Sequence, residues 1–114
     1  MLQRVFGRLG LGRQTRRSPE RQQAVDEASR GLALYHFEAC PYCIRVKRII
    51  QRLDLQIELR DARVPIHQQE LHLEGGRYQT PCLRITQAED ERPVQWLYES
   101  TDIIRYLKQR FPRT

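Results

Sequence analysis

A chain of 114 residues, 39% hydrophobic and 30% charged, has room for one folded core and not two, so its chemistry must be housed in one small domain. No apolar run approaches the roughly 20 residues that span a bilayer, and residues 1–30 lack the apolar stretch and small-residue cleavage site of a secretory signal. The expectation is a cytoplasmic, unexported protein. The formal charge of +6 is unevenly placed: residues 1–30 hold seven arginines against three acids, so the rest is nearly balanced and offers no basic, aromatic-studded stripe for nucleic acid.

Residues 1–17 carry five arginines and no acid, with Leu2, Val5, Phe6 and Leu9 at helical spacing. Gly7, Gly10 and Gly12 weaken any helix there. The segment suits a frayed basic tail, a weak contact with a membrane surface or a protein, or an organellar presequence. Ser18-Pro19-Glu20 then reads as a helix start, with Ser18 as N-cap and a stop near Gly31. Only Ala24, Val25 and Ala28 give this helix an apolar face, so it is expected to dock weakly. Residues 1–30 are thus a basic leader, partly helical or disordered, and 31–114 the domain.

Leu32 to Phe37 is a strand candidate, and Glu38-Ala39 lead from it into Cys40-Pro41-Tyr42-Cys43. A helix follows, carrying Ile44, Val46, Ile49, Ile50 and Leu53, with Arg45, Lys47, Arg48 and Arg52 on its solvated surface. Two residues between the cysteines bring both sulfurs over the first helical turn, and Pro41 occupies a position that needs no N–H donor. Cys40 then sits where unpaired N–H groups and the positive end of the helix dipole favour a thiolate. A free thiol is only about 3% ionised at pH 7, so a depression of two or three units would make most of this sulfur nucleophilic. Cys43, one turn further in, suits the resolving role. Alone, the motif is compatible with thioredoxin, an isomerase or a metal clasp, and two of three cysteines in one motif argue for a reducing compartment.

Gln56 to Arg60 alternates as a second strand, completing a βαβ unit. Pro65 opens a short polar helix to about Glu74, ended by Gly75-Gly76. Pro81 to Ile85 is a third strand and Val94 to Tyr98 a fourth, joined by a solvated acidic loop around Glu89, Asp90 and Glu91. The last helix starts at Ser100 or Thr101 and buries Ile103, Ile104, Leu107 and Phe111. The order βαβαββα predicts an α/β domain with one sheet and flanking helices.

Three separated motifs resemble one family. The cysteine motif after the first strand, Thr80-Pro81 opening the third and Glu99-Ser100 opening the last helix resemble the glutaredoxins. The likeness is to the bacterial type similar to the N-terminal domain of glutathione S-transferases, with 98–107 the telling stretch and residues 32–111 covered. The resemblance implies a thioredoxin-like fold with a four-stranded mixed sheet, and a dithiol oxidoreductase with Cys40 and Cys43 as catalytic pair. Glutathione is the implied co-substrate, disulfide-bearing or glutathionylated proteins the implied substrates, and an NADPH-dependent glutathione reductase the indirect partner. Pro81 would be a cis-proline, and Thr80 would pair its backbone with the cysteinyl part of glutathione. Ser100 and the helix N-terminus would receive the γ-glutamyl carboxylate and Glu99 its ammonium, while Tyr42 lines the pocket.

Two departures stand out. Where glutaredoxins commonly carry a lysine ahead of the motif, this chain has Glu38 and Ala39, leaving Arg77 or Gln79 to receive the glycyl carboxylate. Cys82 follows the presumed cis-proline as a buried small hydrophobe or a regulatory thiol. No metal is expected, although Cys40, Cys43, His67 and His72 formally give C-x2-C followed by H-x4-H. A cluster bridged through Cys40 and glutathione is disfavoured by Pro41, which cluster-binding members usually lack. A glutathione transferase would need a further helical domain after Thr114. A non-catalytic redox-sensing or adaptor module tethered by the basic N-terminus is the further alternative, disfavoured by the intact Cys40 and Cys43.

Overall fold

The computed structural model describes residues 16–86 and 94–113, so the amphipathic pattern at 2–9 and the acidic loop at 89–91 lie outside the described residues. Helix α1 spans Pro19–Ser29, β1 Leu32–His36, α2 Pro41–Arg52 and β2 Glu58–Asp61. Helix α3 runs Pro65–Gln69 and widens into a π-helical turn over Glu70–Glu74; β3 is Cys82–Ile85, β4 Gln95–Leu97 and α4 Ser100–Arg110. The sheet order is β2-β1-β3-β4, with β1 parallel to β2 and antiparallel to β3, and β3 antiparallel to β4. This is the mixed four-stranded sheet with flanking helices of a thioredoxin-like fold.

Strand alternation separates two cores. Leu32, Leu34, Leu83 and Ile85 point to one face, where Val46, Ile49, Ile50 and Leu53 of α2 meet Ile103 and Leu107 of α4. Tyr35 and Cys82 point to the other and pack with Ala62, Leu71 and Tyr98. Tyr35 is fully buried, and its hydroxyl lies 2.9 Å from Glu70 Oε1 and accepts from Arg60 Nη1 at 2.7 Å. Gly75 passes so close to this second core that a Cβ there would overlap the Tyr98 hydroxyl and stand 3.0 Å from Leu71 O and the Trp96 ring, so any side chain would force Tyr98 to shift.

Helix α2 ends in a paired turn. Asp54 takes a left-handed φ of 53°, its N–H bonding Gln51 O, while the Leu55 N–H reaches Ile50 O. Strand β2 begins two residues later than its alternation suggests, because Ser29 Oγ takes the Gln56 N–H at 2.9 Å before the ladder can.

The leader helix departs most from its sequence reading. Ser18 caps α1 as expected, and Val25 and Ala28 touch the first core, but Ala24 is exposed. Polar side chains do the docking. Gln22, Asp26 and Ser29 are buried, and Gln22 Nε2 donates to Asp54 O. Arg17, 2% exposed, donates to Leu53 O at the end of α2 and to Phe111 O and Pro112 O at the end of α4. A hydrophobic-pattern argument sees none of this, because the partners across the interface are main-chain carbonyls at helix ends, and Gln22 Oε1 and Asp26 Oδ1 hold the donors in place.

Candidate functional site

Topology gathers the three motifs. Since β1 and β4 both oppose β3, they point the same way, so α2 and α4, which follow them, both begin at one end of the sheet. Thr80-Pro81 stands at that end too, because β3 runs the other way. Its peptide bond is cis.

Cys40 occupies the N-cap of α2 with an extended backbone, and Pro41 takes the first helical position. Its thiol closes no full-geometry cap bond, yet the sulfur faces the N–H groups of Cys43 and Tyr42 and the side chains of Cys43 and Thr80. Burial opposes ionisation here. These donors outweigh it and hold the Cys40 thiol below its ordinary value. Cys43 differs. It is fully buried, and burial, with the adjacent Cys40 sulfur adding, pushes its thiol up. One sulfur is thus partly exposed with its thiolate favoured, and the other is buried behind it with its thiolate disfavoured. Both are free thiols in this structure.

Thr80 matters here in a way its sequence reading missed: its side chain reaches both sulfurs in addition to whatever its backbone offers. Nothing in the sequence marks that contact, which depends on how β3 enters the sheet. Glu99 is the N-cap of α4 but makes no side-chain cap bond, while Ser100, 9% exposed, starts the helix. Tyr42 projects into solvent, 60% exposed, and Gln79 is half-buried ahead of Thr80.

Arg77 is exposed. Its guanidinium lies 4.4 Å from the Tyr98 ring centroid, a cation–π contact behind the cis bond. Tyr98 in turn places its buried hydroxyl beside the Cys82 thiol without hydrogen-bond geometry. Cys82 is fully buried, and burial pushes its thiol up to about 12, as a small apolar side chain rather than a reactive one. The histidines are engaged elsewhere: His67 Nδ1 lies 3.0 Å from Asp61 O, and His72 stacks on Tyr78 at 5.1 Å. Among the described residues, no three His, Cys, Asp or Glu side chains come together as metal ligands. No helix among the described residues is long and apolar enough to cross a membrane.

Residues 34–114 match the family model of the glutathione S-transferase N-terminal domain. No curated protein matches the chain. Among solved structures, the thioredoxin-like protein BC3987 is similar at a TM-score of 0.59 and 19% identity, covering 74% of this chain and 97% of that one. Maleylacetoacetate isomerase from Anaeromyxobacter dehalogenans, solved with glutathione bound, is similar at 0.53 and 23% identity, covering 71% of this chain and 38% of that one. Glutathione transferase Omega 2S from Trametes versicolor gives 0.54 and 19%, covering 71% and 36%. The chain therefore spans under two-fifths of these two glutathione enzymes, and at such identities the likeness is one of fold. The family match covers well over half the chain: it belongs to the glutathione S-transferase N-terminal domain family.

Proposed function

We propose that the protein is a glutathione-dependent thiol-disulfide oxidoreductase of the dithiol glutaredoxin kind. The observation that carries this reading is the split between the two sulfurs, Cys40 partly exposed at a helix N-cap that favours its thiolate and Cys43 fully buried behind it where burial pushes its thiol up. Glutathione is the co-substrate. Thr80 would pair its backbone with the cysteinyl part, Ser100 and the N-terminus of α4 would receive the γ-glutamyl carboxylate, and Glu99 would bind the ammonium. That Glu99 makes no cap bond of its own supports its availability. Pro81, Gln79 and Tyr42 would border the tripeptide.

With a glutathionylated protein, the Cys40 thiolate attacks the glutathione sulfur. A Cys40–glutathione disulfide forms, the old S–S bond breaks, and the protein sulfur leaves as a thiolate that takes a proton from water. A second glutathione thiolate then attacks that adduct, releasing oxidised glutathione and restoring the Cys40 thiolate. With a protein disulfide, the Cys40 thiolate attacks one sulfur, forming a mixed disulfide and releasing the other sulfur as a thiolate that takes a proton from water; Cys43 then loses its proton to water and attacks the Cys40 sulfur, expelling the second substrate thiolate. Two glutathiones reduce the resulting Cys40–Cys43 disulfide, and an NADPH-dependent reductase recycles the oxidised glutathione.

Family membership favours a second reading, conjugation of glutathione to an electrophile. One assay separates them. Purified protein with glutathione, glutathione reductase and NADPH should reduce a small glutathione mixed disulfide with saturable turnover. Conjugation of chlorodinitrobenzene without disulfide reduction would overturn the oxidoreductase reading in favour of the transferase one.

A further inference from the structure

The outer faces of α2 and α4 enclose a groove of about 310 Å³ lined by Arg45, Thr101, Ile104, Arg105, Lys108 and Gln109. Three of its six side chains are cationic. Only Arg105 has a carboxylate at hand, Asp102 Oδ1 at 3.3 Å, an exposed pair that screening weakens. Neither Arg45 nor Lys108 meets a carboxylate among the described residues, and the exposed Arg48 extends the positive strip one turn along α2. Half-buried Ile104 supplies an apolar floor, and Thr101 and Gln109 supply hydrogen-bonding groups beside the charges.

Because α2 and α4 both start at the end of the sheet that holds Cys40, the groove runs away from the reactive sulfur. Arg45 lies five residues beyond Cys40, about 7.5 Å further along the helix axis and about 140° around it, so a segment seated in the groove reaches the sulfur by bending round the start of α2. Resting on the oxidoreductase reading above, we propose that this groove holds an acidic segment of the protein substrate, flanking the cysteine whose glutathione or disulfide partner is delivered to Cys40. A polypeptide fits better than nucleic acid, since the lining has an apolar floor and amide and hydroxyl groups but no aromatic ring on which a base could stack. The contacts would act mainly on substrate capture and would weaken with salt.

The test uses three glutathionylated peptides with glutamate, neutral or lysine flanks, and a small glutathione mixed disulfide as reference. Wild type should turn over the acidic peptide with a kcat/KM about tenfold above the neutral one at low salt, the size expected of two or three exposed ion pairs. The preference should vanish at high salt and in Arg105→Glu/Lys108→Glu, while turnover of the small disulfide stays unchanged. Equal rates for acidic and neutral peptides, or a preference that survives the charge reversal, would overturn the proposal. Binding of the acidic peptide to Cys40→Ser/Cys43→Ser, followed by fluorescence anisotropy, reads the groove without any turnover. If the small disulfide is not reduced, the oxidoreductase reading fails, and this binding decides the groove by itself. Tighter binding of a single-stranded oligonucleotide or an anionic vesicle than of the acidic peptide would also overturn it.

Discussion

Cys40→Ser should lower glutathione-dependent disulfide reduction on the order of a thousandfold or more, to the background rate of glutathione itself, because no other accessible sulfur can take its place. Cys43 is fully buried with its thiol pushed up, and Cys82 is fully buried beside Tyr98 with its thiol pushed up to about 12. Cys43→Ser should behave differently. Release by a second glutathione does not use Cys43, so reduction of glutathione mixed disulfides should persist within a few-fold while reduction of protein disulfides is lost. Equal loss in both variants, measured with the two substrate types side by side, would show that the sulfurs act only as a pair.

Arg17→Ala should destabilise the fold by about 3 kcal/mol, lowering the midpoint of thermal unfolding by about 10–15 °C. The guanidinium is almost fully buried and donates to three main-chain carbonyls, those of Leu53, Phe111 and Pro112. Removing it strands these acceptors at the ends of α2 and α4, where no helical N–H is available to them. Arg16 offers a matched control. It is exposed and joins the domain through its main-chain N–H to Arg113 O, so Arg16→Ala should change stability by less than about 0.5 kcal/mol. If both substitutions proved silent in a denaturant titration, α1 would be a passive appendage.

Much of the site follows from local chemistry that a sequence displays. Pro41 after Cys40 and the spacing of Val46, Ile49 and Ile50 set where α2 starts and which face it buries, and α4 is placed as firmly by Ile103 and Leu107. Strand edges are less legible: Gln56 alternates like a strand residue, but Ser29 from a distant helix captures its N–H. The docking of α1 was hidden for a related reason. Its thin apolar face suggested a loose helix, whereas Arg17 and Gln22 grip carbonyls that become orphans only once α2 and α4 have formed. At the reactive centre, both cysteines could be ranked from helix position alone. The Thr80 side chain could not be placed there, because its approach depends on the antiparallel pairing of β3 with β1. Arg77, a candidate for the glycyl carboxylate on charge alone, also lies over the face of Tyr98, a contact that its sequence position does not display.

The central claim is that the Cys40 thiol is held below its ordinary value and exchanges with glutathione. Its most direct test is the reaction of Cys43→Ser with oxidised glutathione across a pH series, with the adduct mapped by mass spectrometry. A lowered thiol pKa brings the thiolate, and hence the rate, to its plateau at lower pH. The prediction is a single glutathione on Cys40, forming with a midpoint below the ordinary thiol value of about 8.5, and removed by excess reduced glutathione. An adduct on Cys82, no adduct at all, or one that appears only above that ordinary value would contradict it.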